Sequence, residues 1–162
     1  MNTGGRVIVC AGISGGKIVL WEYLGPRWCG QAAADLYKGP IQKALKKRRG
    51  DKRKYLLLED NDRTGYKSKK GMAAKSEAKI EAIEWPKYSP DLNPLDYAVW
   101  DAIESRMKDS APSGGESVQA YKQRLRRAAL RLPESVVRKA VAGIPHRMKA
   151  VVEAKGGNIP RD

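Results

Sequence analysis

Phenylalanine is absent from the 162 residues, histidine occurs once, at His146, and cysteine twice, at Cys10 and Cys29. The missing Phe has no evident physical reason and leaves aromatic packing to four Trp and seven Tyr. The other two shortages exclude particular chemistry. Two isolated thiols without CxxC spacing and a single imidazole do not make a zinc site, and a reduced, intracellular chain is the simplest inference. No apolar run approaches the roughly 20 residues that a membrane-spanning helix needs. The start, MNTGGRVIVCAGI, imitates a weak signal peptide, but its apolar run passes into a Gly pair and a second strand-like segment. Acidic residues are scarce as well: 18 Asp and Glu face 32 Lys and Arg, a net charge of +14. Such an excess repels itself unless a polyanion is near, which makes nucleic acid the leading partner and a merely soluble basic protein the alternative.

What is present is a globular composition, 41% hydrophobic, in a length that suits one domain. Arg6 to Ile13 and Lys17 to Leu24 are β-branched, apolar runs joined by Ser14-Gly15-Gly16, the pattern of a β-hairpin. A helical stretch from about Gln31 to Arg48 is interrupted by Pro40, which predicts a kink or two shorter pieces. Tyr55 to Asp60 reads as a central strand covered on both faces. A helix over about Lys69 to Glu81 follows, then a short strand over Ala82 to Trp85. In the proline-punctuated loop Pro86 to Pro94, Asn93 is an N-cap and Pro94 a first-turn proline for a helix to about Met107. A turn over Asp109 to Gly115 leads to two or three closing helices. The first carries Val118, Tyr121, Leu125, Ala128, Ala129 and Leu132 on one face, and the last runs from Pro145 to Ala154 and stops at Gly156-Gly157. The sum is an α/β domain with a core over about 6–109 and a helical tail over about 116–157.

The basic residues concentrate. Lys43, Lys46, Lys47, Arg48, Arg49, Lys52, Arg53 and Lys54 form one run, and Lys67, Lys69, Lys70, Lys75 and Lys79 a second stretch. Cations so placed suit phosphate contacts, which give affinity without sequence specificity. A nuclear-import signal is a secondary use, and a solvated helix end, favoured by the macrodipole, is the structural alternative. Trp21 and Trp28 are candidates for stacking on bases, whereas Trp85 and Trp100 sit in apolar patterns that predict core.

The most specific signal is Tyr88-Ser89-Pro90-Asp91-Leu92-Asn93-Pro94-Leu95-Asp96-Tyr97-Ala98-Val99-Trp100, preceded by Trp85-Pro86. Leu57-Leu58-Glu59-Asp60-Asn61-Asp62 is a second motif, and Ile144 to Val151 followed by Lys155-Gly156-Gly157 a third. Together they resemble the mariner-type DNA transposases, from about Val7 to Gly157. The resemblance implies a ribonuclease-H-like fold and cleavage and joining of DNA by two divalent ions, Mg²⁺ or Mn²⁺. It implies that Asp60 and Asp96 are the second and third metal-holding carboxylates of that family. The chemistry agrees, since hard divalent ions want oxygen ligands converging from separate elements. Each also has a structural alternative: an Asx-turn at Asp60, a helix-start acid at Asp96. Asp91 reads as structural, bonding local amides, and Glu59 points to the face opposite Asp60.

Departures from the family pattern set further expectations. The family's first carboxylate precedes the hairpin, where Met1 to Gly5 offer no acid, and Glu22 and Asp35 lie in the wrong elements to replace it. The family's amino-terminal helix-turn-helix region has no counterpart, and Gly65 stands where many relatives have His. The expectation is therefore a partial catalytic domain lacking its first strand, inactive alone. The alternative is a transposase-derived DNA-binding or protein-interaction module without catalysis. DNA is the expected partner, a homodimer the expected assembly, and the nucleus the expected compartment in a eukaryote. Neither a membrane nor a small-molecule substrate is expected.

Overall fold

The computed structural model describes residues 6–48 and 56–160. Its elements are β1 (Val9–Ser14), β2 (Lys17–Tyr23), α1 (Gly30–Leu36), α2 (Gln42–Arg48), α3 (Lys69–Glu77), α4 (Trp100–Asp109), α5 (Val118–Leu130) and α6 (Glu134–Glu153). The chain is mixed α/β. Among the described residues the strands form one two-stranded sheet, β1 beside β2. The hairpin turns at Gly15 and Gly16, whose φ values of 59° and 82° form the left-handed pair that a tight hairpin requires.

The chain divides into two compact units, Met1–Cys10 with Glu22–Tyr88, and Ala11–Trp21 with Ser89–Asp162. In the first, α1 and α2 are joined through a π-helical segment, Tyr37–Ile41, that contains Pro40. The predicted interruption is thus a π-helical turn, which accommodates proline's missing N–H donor and its ring without ending the helix. α3 packs on α1 and on the π segment. Ser68 caps it by accepting from the Gly71 amide at 3.1 Å. It ends at Glu77, sooner than the pattern suggests, because Lys79 turns into the left-handed region at φ 52°.

The segment read as a central strand is different from its expectation. Tyr55 lies outside the described residues, and the rest makes a single parallel bridge, Leu57 to Ala82. Two hydrogen bonds hold it, Leu57 N–H to Glu81 at 2.9 Å and Ile83 N–H to Leu57 at 2.8 Å. Leu56 is 51% exposed, so the run is not covered on both faces. The predicted strand over Ala82 to Trp85 is likewise only a bridge partner, its residues 82–84 exposed. The apolar run Leu56 to Leu58 does not by itself distinguish a doubly covered strand from a short extended segment bridged on one side.

In the second unit, a 3₁₀ turn, Pro90–Leu92, leads to a π-helical segment, Leu95–Val99, that continues into α4. Asn93 caps the start, its Oδ1 accepting from the Leu95 amide at 3.1 Å. α5 packs on α4, and the link between them is clipped by a forked ion pair. Arg124 Nε and Nη2 reach the two carboxylate oxygens of Glu116 at 2.9 and 2.7 Å. The last helix starts at Glu134 rather than Pro145, and Pro145 sits exposed within it. A single interior proline was outweighed by the apolar stripe Val137, Ala140, Ile144 and Val151 on either side of it. Beyond α6, Gly156 at φ 83° bonds back to Val151 at 2.9 Å, the expected glycine stop. Val99, Ile103 and Val137 are the innermost side chains of this unit, each worth roughly 1.5–3 kcal/mol when fully buried.

Candidate functional site

Asp60 belongs to the first unit and Asp96 to the second. Asp60 follows the bridged segment and is exposed. Its Oδ1 accepts from the Asn61 amide at 2.7 Å, a local bond that leaves the second oxygen to solvent or a ligand. Asn61 is turned to structural use, its side-chain amide donating to the Trp85 carbonyl. That bond ties the end of the Asp60 segment to the start of the proline-rich loop.

Behind Asp60, Glu59 is buried and receives two donors, Tyr37 Oη at 2.5 Å and the Lys75 ammonium. Alternation along the chain puts Glu59 inside and Asp60 outside, as the spacing predicts. Lys75, counted from sequence among the basic stretch, is not a surface cation. It is 7% exposed and committed to Glu59, because α3 turns its Gly71, Ala74 and Lys75 face to the core.

Asp62, two residues on, organises the following loop. Its carboxylate accepts from the Trp28 indole at 2.6 Å, the Gly65 amide at 2.6 Å and the Thr64 amide at 3.2 Å. Burial is the largest influence and pushes the carboxyl up, but these donors together outweigh it and hold Asp62 below its ordinary value. Trp28 lies against Gly65 so closely that a Cβ there would stand 2.1 Å from the ring. Trp28 is therefore a wall of this loop, and its edge meets the Tyr66 ring at a centroid distance of 4.8 Å. Trp21 is likewise core, 6% exposed and 5.9 Å from Trp100. Sequence reasoning missed this use of Trp28; the one available signal was a small residue, Gly65, where a large one is usual.

Asp96 is half-buried in the first turn of the π-helical segment. Asn93 Nδ2 donates to its Oδ2 at 2.7 Å, so the capping residue also orients the carboxylate. Asp91 departs from its expected local bonding. Its Oδ2 accepts from the Ile159 amide at 3.4 Å and its carbonyl from Arg147 Nε at 2.6 Å, both from the carboxy-terminal end.

Of the expected phosphate contacts, Lys43, Lys46, Lys47, Lys67, Lys69 and Lys70 are exposed. Lys46 and Lys70 each reach a glutamine, Gln42 at 3.2 Å and Gln31 at 3.1 Å. Arg49, Lys52, Arg53 and Lys54 lie outside the described residues, as does the side chain of Arg48. Among the described residues, no group of three or more His, Cys, Asp or Glu is gathered to hold a metal, and no helix is long and apolar enough to cross a membrane. Asp35, on α1, accepts from Gln31 at 2.9 Å.

The fold these elements make is ribonuclease-H-like. The Mos1 transposase catalytic domain, solved with raltegravir and Mn, superposes with a TM-score of 0.81. That match covers 95% of this chain and 78% of that one at 17% identity. The Mos1 strand transfer complex matches with a TM-score of 0.74, over 99% of this chain and 46% of that one at 19% identity. In sequence, the Tcb1 transposase of Caenorhabditis briggsae is 29% identical over 153 residues, 88% of this chain and 54% of its own length. The Tc1 transposase of Caenorhabditis elegans is 32% identical over 77 residues, 48% of this chain and 27% of its own length. No family model matches the chain. The chain is homologous to the Tc1/mariner transposases, and it spans about half the length of the Tcb1 protein.

Proposed function

We propose that this chain is a DNA-processing domain whose Asp60 and Asp96 are ligands for divalent ions, Mg²⁺ or Mn²⁺, that act on the phosphodiester of a bound DNA. The observation that carries the reading is the dedicated delivery of the two carboxylates. Asp60 stands exposed at the end of a segment whose neighbouring side chain is anchored in the core, and Asp96 is oriented by the residue that caps its own helix. Two carboxylates supply hard anionic oxygen, the donor set that Mg²⁺ and Mn²⁺ accept, so the residues fit the ion. When bound, the ion activates an attacking hydroxyl and offsets charge on the phosphate. Related proteins support the choice of ion and partner: Mos1 has been solved with Mg, with Mn and as a paired end complex.

The exposed lysines on α2 and around the start of α3 bind the DNA backbone in this reading. Lys67, Lys69 and Lys70 lie at the amino-terminal end of α3, where the helix dipole disfavours cations. A polyanion supplies the compensation that the fold does not.

A second reading, DNA binding without cleavage, rests on the exposed lysines alone, Lys43, Lys46, Lys47, Lys67, Lys69 and Lys70. One set of measurements separates the two. Mn²⁺ binding and Mn²⁺-dependent nicking of plasmid DNA are followed for the 162-residue chain and for Asp60→Ala and Asp96→Ala. The metal reading expects Mn²⁺ binding that each alanine change removes. With two carboxylates in place of three, it expects that binding to be weak and nicking by this chain alone to be absent. Nicking that both changes abolish would establish a substitute ligand. Tight DNA binding with no Mn²⁺ binding that either aspartate controls leaves the non-catalytic module.

A further inference from the structure

Arg147 is 3% exposed, yet it occupies the apolar stripe of α6 between Ile144 and Val151. Nε donates to the Asp91 carbonyl at 2.6 Å and Nη2 to the Pro160 carbonyl at 2.9 Å. The guanidinium also stands 4.3 Å over the Tyr97 ring. Burying a guanidinium is costly, and a methionine of similar length fills such a stripe without that cost. What the arginine adds is a planar fork that a flexible apolar chain cannot imitate.

One arm of the fork reaches the turn that carries Asp96, and the other holds the carboxy-terminal segment at Pro160. Asp91 lies in the 3₁₀ turn just before Asn93, and Asn93 is the residue that orients the Asp96 carboxylate. Tyr97 follows Asp96 directly, lies under the guanidinium, and donates its hydroxyl to the Ala140 carbonyl two turns earlier on α6. The chain on both sides of Asp96 is therefore tied to α6. We infer that Arg147 is a positioning residue for Asp96, fixing the Ser89–Val99 turn so that the carboxylate is presented in one orientation. Its use toward a metal rests on the function proposed above; the mechanical claim does not.

The experiment is hydrogen–deuterium exchange on the full 162-residue chain, wild type against Arg147→Lys, Arg147→Met and Tyr97→Phe, with Mn²⁺ affinity measured on the same samples. Arg147→Lys keeps the charge and the stem but cannot fork, so exchange over residues 92–99 should rise about tenfold, the protection expected from roughly one strong hydrogen bond. Exchange in α5 and over residues 103–109 of α4 should stay as in wild type. Mn²⁺ affinity should fall with it, and Tyr97→Phe should show a smaller effect of the same kind. Unchanged exchange over 92–99 in the lysine variant overturns the inference. So does a rise spread evenly across α4, α5 and α6, which marks a merely structural arginine. If Arg147→Met does not fold, the lysine variant decides. A wild-type chain whose Mn²⁺ binding is indifferent to Asp96→Ala sinks the metal reading, while the exchange pattern still decides what Arg147 does.

Discussion

Lys75 of α3 and Glu59 form a buried ion pair, with the Tyr37 hydroxyl completing the carboxylate's hydrogen bonding at 2.5 Å. The Lys75 ammonium also lies 5.1 Å from the Tyr37 ring centroid. Three elements, the bridged segment, the π-helical segment and α3, thus meet at one carboxylate. Because Glu59 immediately precedes Asp60, the pair also fixes the backbone from which Asp60 projects. Removing one partner leaves the other charge buried and alone. Lys75→Met and Glu59→Gln should each destabilise the chain by about 3–5 kcal/mol. The double change Glu59→Leu with Lys75→Met should recover most of that loss. Urea unfolding measures all of them, and a single change costing under about 1 kcal/mol would mean that the pair is solvated.

The same cluster sets an alkaline limit. Burial, with the Glu59 hydrogen bond and charge, raises the Tyr37 hydroxyl far above its ordinary value of 10.0. Burial likewise raises Tyr66, and the Cys10 thiol is pushed above 9.0. A raised folded pKa means that the folded chain keeps a proton which the unfolded chain releases. The associated stability is complete below the ordinary values and is lost as pH climbs beyond them. Stability should begin to fall above about pH 9, steepening past pH 10 to about 1.4 kcal/mol per pH unit for each tyrosine held neutral. Tyr66→Phe should flatten the slope, although it also removes the hydrogen bond with Cys10 at 3.6 Å. A wild-type stability curve that stays level from about pH 9 to 11 contradicts this.

The elements legible in the sequence were those with a local cause. Gly15-Gly16 made the hairpin, Asn93 and Pro94 the helix start, and Pro40 an interruption. Illegible were the features settled by distant partners. Lys75 and Arg147 are both buried on the inner faces of their helices, whereas a count of charges puts both on the surface. Pairing for the Tyr55 to Asp60 run depends on what lies beside it, which periodicity does not encode. Asp60 and Asp96 were selected by motif alone. Their local hydrogen bonds, accepted from the Asn61 amide and from Asn93 Nδ2, follow from residues one and three positions away.

DNA binding should be sequence-tolerant and limited by salt. The exposed Lys43, Lys46 and Lys47 continue into a basic run whose remainder includes Arg48 and Arg49. Reversing the charge at Lys46, Lys47, Arg48 and Arg49 should weaken binding to every duplex alike. It should also make log Kd less steep against log salt, by about 0.9 for each phosphate that is no longer neutralised. Fluorescence anisotropy from about 50 to 200 mM salt is the measurement. A variant that binds like wild type at each salt identifies the run as a solvated helix end. A separate reversal of Lys67, Lys69 and Lys70 tests the second patch.

The loop beyond Asp60 depends on Gly65, Trp28 and Asp62 together. Gly65 leaves room for the indole, and the indole N–H reaches the Asp62 carboxylate that accepts from the Gly65 amide. An added methyl at residue 65 meets a ring held by its own hydrogen bond, so the ring has to move and the bond is strained or broken. Gly65→Ala should therefore cost about 1–3 kcal/mol. Trp28→Ala vacates the space but leaves Asp62 short of a donor, so combining it with Gly65→Ala should cost less than the sum of the two. Asp62 also gives this loop an acid limb. Its carboxyl is held below the ordinary value of 3.8, so the folded chain releases a proton that the unfolded chain retains. The contribution is complete above pH 3.8 and disappears as pH drops through the lowered folded value. Asp62→Asn should remove that limb and lower stability at neutral pH, where the charged acceptor is gone. The readout is the difference in unfolding free energy between wild type and Asp62→Asn, which should shrink as pH is taken from about 6 to 3. A difference that is constant over that range means the carboxylate is not held by these donors.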